Sequence, residues 1–220
     1  MNGDLWKVVL KIRLAVFVVA FAALLATAPA YGGFRVEAES GTNGGGDYLM
    51  IYENDLPVLR YVRGEVLPEG VPEDRRRSSY IHPLFSLDGA ALTDDFPKDH
   101  YHHRGLSWMW LRVSYDGKTN DLWTLKGIRQ KYVDSESEAD DTSARLRVRN
   151  GWFEDATGRK VVDEQVTIVA RPADEHGRDI LLTIELAAVG NAVSLGVSNT
   201  GYSGLNLRFA PRQDTAILTS

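Results

Sequence analysis

The sequence predicts an all-β protein, a large antiparallel β-sandwich, and three observations carry that prediction. From residue 48 onward, short apolar runs with a two-residue period follow one another. Turn signals such as Asp116-Gly117, Asn150-Gly151 and Thr157-Gly158 lie between or beside them. No stretch shows the spacing of an amphipathic helix. Strands this close together, without helices to cover a parallel sheet, must bury their faces on one another.

In chain order the expected strands are 48–52, 58–62, 80–85, 106–115, 131–134, 144–153, 161–170, 180–187, 193–197 and 205–209. Three of them can be read residue by residue. Leu146 and Val148 alternate with Arg145, Arg147 and Arg149, which makes one face apolar and the other charged. Val162, Val166 and Ile168 oppose Asp163, Gln165 and Thr167, and pairing across residues 150–160 would set the arginines against Asp163 and its neighbours. Ile180, Leu182, Ile184 and Leu186 form a third inward face. The run 106–115 is apolar on both sides, with Met109, Leu111, Val113 and Tyr115 on one and Trp108 and Trp110 on the other, so a central strand is expected there.

Residues 1–30 read as an export signal. Lys7, Lys11 and Arg13 form a basic start, residues 14–27 are almost wholly apolar, and Ala28-Pro29-Ala30 supplies a small-x-small cleavage pattern. The apolar run falls short of the roughly 20 residues that cross a bilayer, which disfavours an uncleaved anchor. Residues 31–47, with Gly41-Thr42-Asn43-Gly44-Gly45-Gly46, are expected to be a flexible N-terminal segment. Residues 48–220 are expected to form the sandwich, with a C-terminal part of the domain lying outside the sequence. Periplasmic or extracellular location, with no membrane contact after signal removal, follows from this reading.

Loss of residues 1–30 would move the formal charge from −5 to −7, since three basic residues and Asp4 leave together. An acidic surface argues against nucleic acid, whose phosphates demand a positive footprint. The basic run Arg75-Arg76-Arg77 reads as a solvated loop. The absence of cysteine excludes disulfides, a thiol nucleophile, zinc–cysteine sites and a lipoprotein anchor.

Chemistry concentrates in Asp94-Asp95-Phe96-Pro97-Lys98-Asp99-His100-Tyr101-His102-His103-Arg104-Gly105-Leu106, which holds three of the five histidines. Pro97 prevents a regular helix, and the flanking aspartates and glycine favour an irregular loop. His100, His102 and His103 are the candidate catalytic residues, because an imidazole titrates near neutrality and can give or take a proton at a hydroxyl or ring oxygen. His82, Asp94, Asp95, Asp99, Arg104, Trp108 and Trp110 are the candidate ligand-binding residues, one indole serving as the apolar floor of a sugar pocket. In an extended segment His103 would point away from His100 and His102, so no tightly bound metal and no cofactor is expected. A metal-dependent enzyme using the His/Asp cluster is the competing possibility. Ser107 lacks the context of a hydrolase nucleophile, and residues 44–46 lack the lysine of a phosphate loop.

The motifs Tyr80-Ile81-His82-Pro83-Leu84-Phe85, Leu92-Thr93-Asp94-Asp95-Phe96-Pro97 and Asp99-His100-Tyr101-His102-His103-Arg104-Gly105-Leu106, with Trp108 and Trp110, resemble a bacterial PmoA-like domain family of unknown function. The label "methane oxygenase PmoA" attached to that family has no physical support in this sequence, which has one short apolar segment where a membrane monooxygenase subunit needs several spans. More distantly, His103-Arg104-Gly105-Leu106 is similar to the loop before a central strand in galactose mutarotase-type sandwiches. That likeness implies a supersandwich that binds sugars on a concave face, using histidine as acid with a late glutamate as base. The expectation is therefore an exported protein that binds or acts on a carbohydrate or carbohydrate derivative. A non-catalytic sugar-binding module is the alternative, and a carboxylate base facing the histidines is what would separate the two.

Overall fold

A computed structural model describes residues 5–14, of which only the backbone path is given, together with 32–41, 45–199 and 201–211. The described chain is built from antiparallel strands and one short 3₁₀ turn, Glu73–Arg75. In chain order the strands are β1 (Leu5–Leu14), β2 (Phe34–Glu39), β3 (Tyr48–Glu53), β4 (Leu56–Val62), β5 (Tyr80–Leu84), β6 (Leu106–Met109) and β7 (Arg112–Tyr115). They continue with β8 (Lys118–Asn120), β9 (Ile128–Ala139), β10 (Ala144–Glu154), β11 (Lys160–Ala170), β12 (Arg178–Ala188), β13 (Ser194–Gly196) and β14 (Gly204–Leu207). Three sheets result, in the orders β1-β12-β11-β10-β9, β14-β6-β5-β4-β3-β2 and β13-β7-β8. No described helix is long and apolar enough to cross a membrane.

Alternation governs the five-stranded sheet. Leu146 stands opposite Ile168 and Val148 opposite Val166, then Val166 opposite Ile184 and Ile168 opposite Leu182, so one face is a continuous apolar layer. All six side chains are buried. They meet Ile51, Leu59, Ile81, Leu84 and Trp108 of the six-stranded sheet and Val113 and Tyr115 of the three-stranded one in a single core. At one end a buried ion pair, Arg178 with Glu53, ties β12 to β3.

Four features depart from the expectations. The β10 arginines do not meet Asp163, which lies opposite Gly151; Arg147 and Arg149 pair with Glu136 and Asp134 of β9, and Asp163 pairs with Lys160. The run 106–115 is not one strand, because the chain leaves the six-stranded sheet after Met109 and enters the three-stranded sheet at Arg112. Between them the Trp110 carbonyl accepts the Leu122 amide at 2.9 Å, and the Trp110 indole packs on Trp152. Within 31–47, expected to be flexible, residues 34–39 are β2, paired along β3. Arg77 is not solvated but 3% exposed. Residues 5–14, which fall within the expected export signal, pair along β12 from Leu5 opposite Ala187 to Leu14 opposite Arg178, an arrangement that does not bear on cleavage. The Ala28-Pro29-Ala30 pattern lies outside the described residues.

Candidate functional site

The histidine loop joins β5 to β6 and is folded by its own backbone before any side chain acts. The Phe96 amide reaches the His103 carbonyl at 3.3 Å, the His100 amide that of Pro97 at 2.8 Å, and the His103 amide that of His100 at 2.9 Å. Consecutive turns replace the extended path, so alternation no longer sets side-chain direction. All three imidazoles gather on one side: His100 and His103 stack at 4.8 Å between centroids, and His102 meets them edge-on at 5.5 and 4.6 Å. The expectation that His103 points away fails for this reason. The loop rejoins the sheet at Gly105, where a Cβ would come within 2.3 Å of the Ile81 carbonyl oxygen, so only glycine fits.

Arg104 holds the loop from beneath. Its side chain is 1% exposed and its guanidinium donates to the carbonyls of Tyr101, of His103 at 2.9 Å and of Arg75 at 2.8 Å, while lying over the Phe96 ring at 3.3 Å. Its charge faces Asp95 at 3.8 Å, and Asp95 in turn accepts the Tyr80 hydroxyl at 2.8 Å. Burial pushes the Asp95 carboxyl up to about 6, against the pull of Arg104 and Tyr80. Arg104 and Asp95, expected to touch ligand, are thus tied mainly to the protein itself.

The aromatic wall comes from a segment the sequence reading did not single out. Trp123 sits 6.3 Å from His102 and 6.2 Å from His103, and Tyr202 meets the same indole edge-on at 6.1 Å. Asp121 fixes the turn carrying Trp123, accepting the amides of Trp123 at 2.8 Å and Thr124 at 2.9 Å and the Thr124 hydroxyl at 2.6 Å. Arg75 and Arg77 reach the same turn from the opposite side, donating to the carbonyls of Thr124 and Trp123. Segment 75–77 therefore links the two loops: Arg104 grips its backbone, and its side chains grip the Trp123 turn. Trp108, expected as a possible pocket floor, is 1% exposed in the core.

Below the loop opens a pocket of about 220 Å³ bounded by His103, Arg104, Met109, Trp123, Tyr202, Asn206, Leu207 and Arg208. Its C-terminal wall is held by backbone hydrogen bonds from Arg208 to Gly105 and from Asp94 to Arg208, at 2.8 and 3.0 Å. Desolvation first, and then the neighbouring imidazoles and Arg208, lower His103 to about 4, so at neutral pH its ring is uncharged. His102 is lowered for similar reasons. His100 leans on Asp99, Nδ1 to Oδ2 at 2.9 Å, and Asp99 is held below the usual carboxylate range by that bond. His82 lies outside the lining, its Nδ1 against Thr93 Oγ1 at 3.0 Å, and burial lowers it to about 4. Among the described residues no group of three or more His, Cys, Asp or Glu side chains is placed to hold a metal ion.

Residues 48–220 match a family of unknown function, DUF6807. The chain belongs to that family. No curated protein and no solved structure matches it. The match to DUF6807 takes in the histidine loop, the Trp123 turn and Arg208, so every residue bounding the pocket lies within the family domain. The sequence reading missed Trp123, Tyr202, Asn206 and Arg208. Trp123 could have been found from Asp121, two residues before it, since aspartate caps such turns. The other three lie about 100 residues from the histidines, and no local signal ties them to the loop.

Proposed function

We propose that this DUF6807 protein binds a carbohydrate or carbohydrate derivative in the pocket beside His103. The observation that carries the reading is the joining of an indole, Trp123, to an uncharged imidazole, His103, and a guanidinium, Arg208, around one small cavity. Aromatic surface suits the apolar faces of a sugar, and the flanking polar groups suit its hydroxyls. Among the described residues no carboxylate bounds the pocket, so an imidazole acid working with a facing carboxylate base has no support there. A catalytic reading retains one favourable observation: His103 is deprotonated near neutrality and can accept a proton, although a group with so low a pKa is a weak base until a ligand raises it.

The test is calorimetric titration of monosaccharides and a glycan panel into the full chain and its His103→Gln and Trp123→Leu variants. Binding that falls at least tenfold in both variants, with melting temperatures held within a few degrees, is expected. Undiminished binding in both would remove the pocket from consideration.

We also propose export, supported by the order of basic start, apolar run and small-residue pattern in residues 1–30. Removal of those residues would uncover the β12 edge on which residues 5–14 lie. Intact-mass measurement of the protein from a bacterial host decides between a mature start at Tyr31 and a retained β1.

A further inference from the structure

We propose that the ligand of this pocket carries a carboxylate, as an acidic sugar of the uronate class does, received by the guanidinium fork of Arg208 beside His103. This deepens the reading above and rests on it. The two charged residues bounding the cavity are both arginines, Arg104 and Arg208. Arg104 is committed to three loop carbonyls and to Asp95. Arg208 is placed differently. Its backbone is fixed on both sides by hydrogen bonds, yet its side-chain contacts with described residues are long: 3.8 Å to Asp94, 3.6 Å to Asp99 and 3.5 Å to His103 Nδ1.

Asp99 is 62% exposed, so its pair with Arg208 contributes little, and the partly buried Asp94 stays at 3.8 Å without a close hydrogen bond from the guanidinium. A carboxylate ligand can instead make two parallel charge-assisted bonds of about 2.8 Å to the fork, in a cavity walled by Met109, Trp123 and Leu207. Of the two arginines bounding the cavity, Arg208 is the one whose guanidinium makes no short hydrogen bond among the described residues, and a single negative charge suits it. Asp94 and Asp99 repel any anion placed at Arg208, and a phosphate dianion about twice as strongly as a singly charged carboxylate. The arrangement also acts on His103, because an anion at Arg208 would lie next to an imidazole now held neutral by surrounding positive charge and burial, and would favour its protonated form.

The experiment is calorimetric titration of the full chain with glucuronate, galacturonate, glucose, galactose and glucose 6-phosphate, repeated with Arg208→Gln and Arg208→Lys. Uronates should bind at least tenfold more tightly than the neutral sugars. Arg208→Gln should abolish that difference, so that uronates bind no more tightly than neutral sugars in the same variant, and Arg208→Lys should keep part of it. Equal affinity for acidic and neutral sugars, or tighter binding of the phosphate, would overturn the carboxylate inference and leave the carbohydrate pocket standing. Absence of binding by all five probes would overturn both. Melting temperatures within a few degrees of wild type in both variants guard against a folding artefact.

Discussion

The five-stranded sheet and the histidine loop solve the same problem, fixing side chains in space, by opposite means. In the sheet, position follows from register: Val148, Val166 and Ile184 lie in one row because their strands are in register, and each neighbour is apolar. In the loop, position follows from a few buried polar groups, above all Arg104 and Arg77, each answering carbonyls from another part of the chain. A sheet distributes its stability over many small contacts, whereas the loop concentrates its order in two guanidinium groups. Damage to the first should be global and graded, and damage to the second local and abrupt.

The largest effect is expected where both devices meet, at Trp152. This indole is fully buried in the core and donates to Glu164 at 2.6 Å, and Glu164 also accepts Asn150 and Gln130. The Trp108 indole lies near enough to favour the Glu164 charge without meeting hydrogen-bond geometry. Burial raises Glu164 above the ordinary carboxylate range despite these partners. Trp152→Ala should therefore cost about 4 kcal/mol, cavity and lost donor together, measured by urea unfolding. A cost below about 1 kcal/mol would show that this network does not bind the sheets together.

Arg104→Met should come next, at about 3 kcal/mol, because three carbonyls and Asp95 lose a buried cationic partner while volume is roughly kept. Its signature separates it from Trp152→Ala. Amide exchange should accelerate across residues 94–105 and 121–126 and stay near wild type in β10, β11 and β12. Uniform acceleration would mean that the loop and the sheet open as one unit.

The legibility of the molecule divides along the same line. Strands 144–154, 160–170 and 178–188 were readable to within two residues because each side chain's environment follows from its own parity. The division of 106–115 was not readable, since a double-sided apolar run fits a central strand and a crossing between sheets equally well. Arg77 was misread as solvated because its partners, Trp123 and Gln130, lie about 50 residues away, and nothing local distinguishes a buried arginine from an exposed one. The histidine loop was visible as a cluster, but its geometry was not. Turns reset side-chain direction, and the Trp123, Asn206 and Arg208 walls are assembled by tertiary contacts alone.

A pH titration sharpens the comparison at intermediate magnitude. His82 and His103 are lowered to about 4 from an ordinary value near 6.5, so between those values the unfolded chain binds more protons and stability rises with pH. Asp95 is raised to about 6 from roughly 3.9, so the folded chain binds the extra proton; its stabilisation is full below about 4 and is lost as pH rises through 6. The groups oppose one another in the same window. Asp95→Asn removes the opposing contribution, and its stability relative to wild type should rise by about 2 kcal/mol between pH 4 and 6.5. Parallel curves for the two proteins would mean that Asp95 titrates like an exposed carboxyl.

The smallest effect tests whether the charges of the sheet's outer face share in its order. Arg149 and Asp134 form a close ion pair across β10 and β9, yet both side chains are about half exposed or more. In water such a pair gains little, because solvation and side-chain entropy offset the attraction, so Arg149→Ala should cost no more than about 0.5 kcal/mol and less at high salt. Register does not depend on it, since Leu146 and Val148 already fix which face of β10 is buried. A cost above 2 kcal/mol in urea unfolding, insensitive to salt, would show that this outer face is organised like the loop, by specific polar anchors, and would erase the distinction between the two regions.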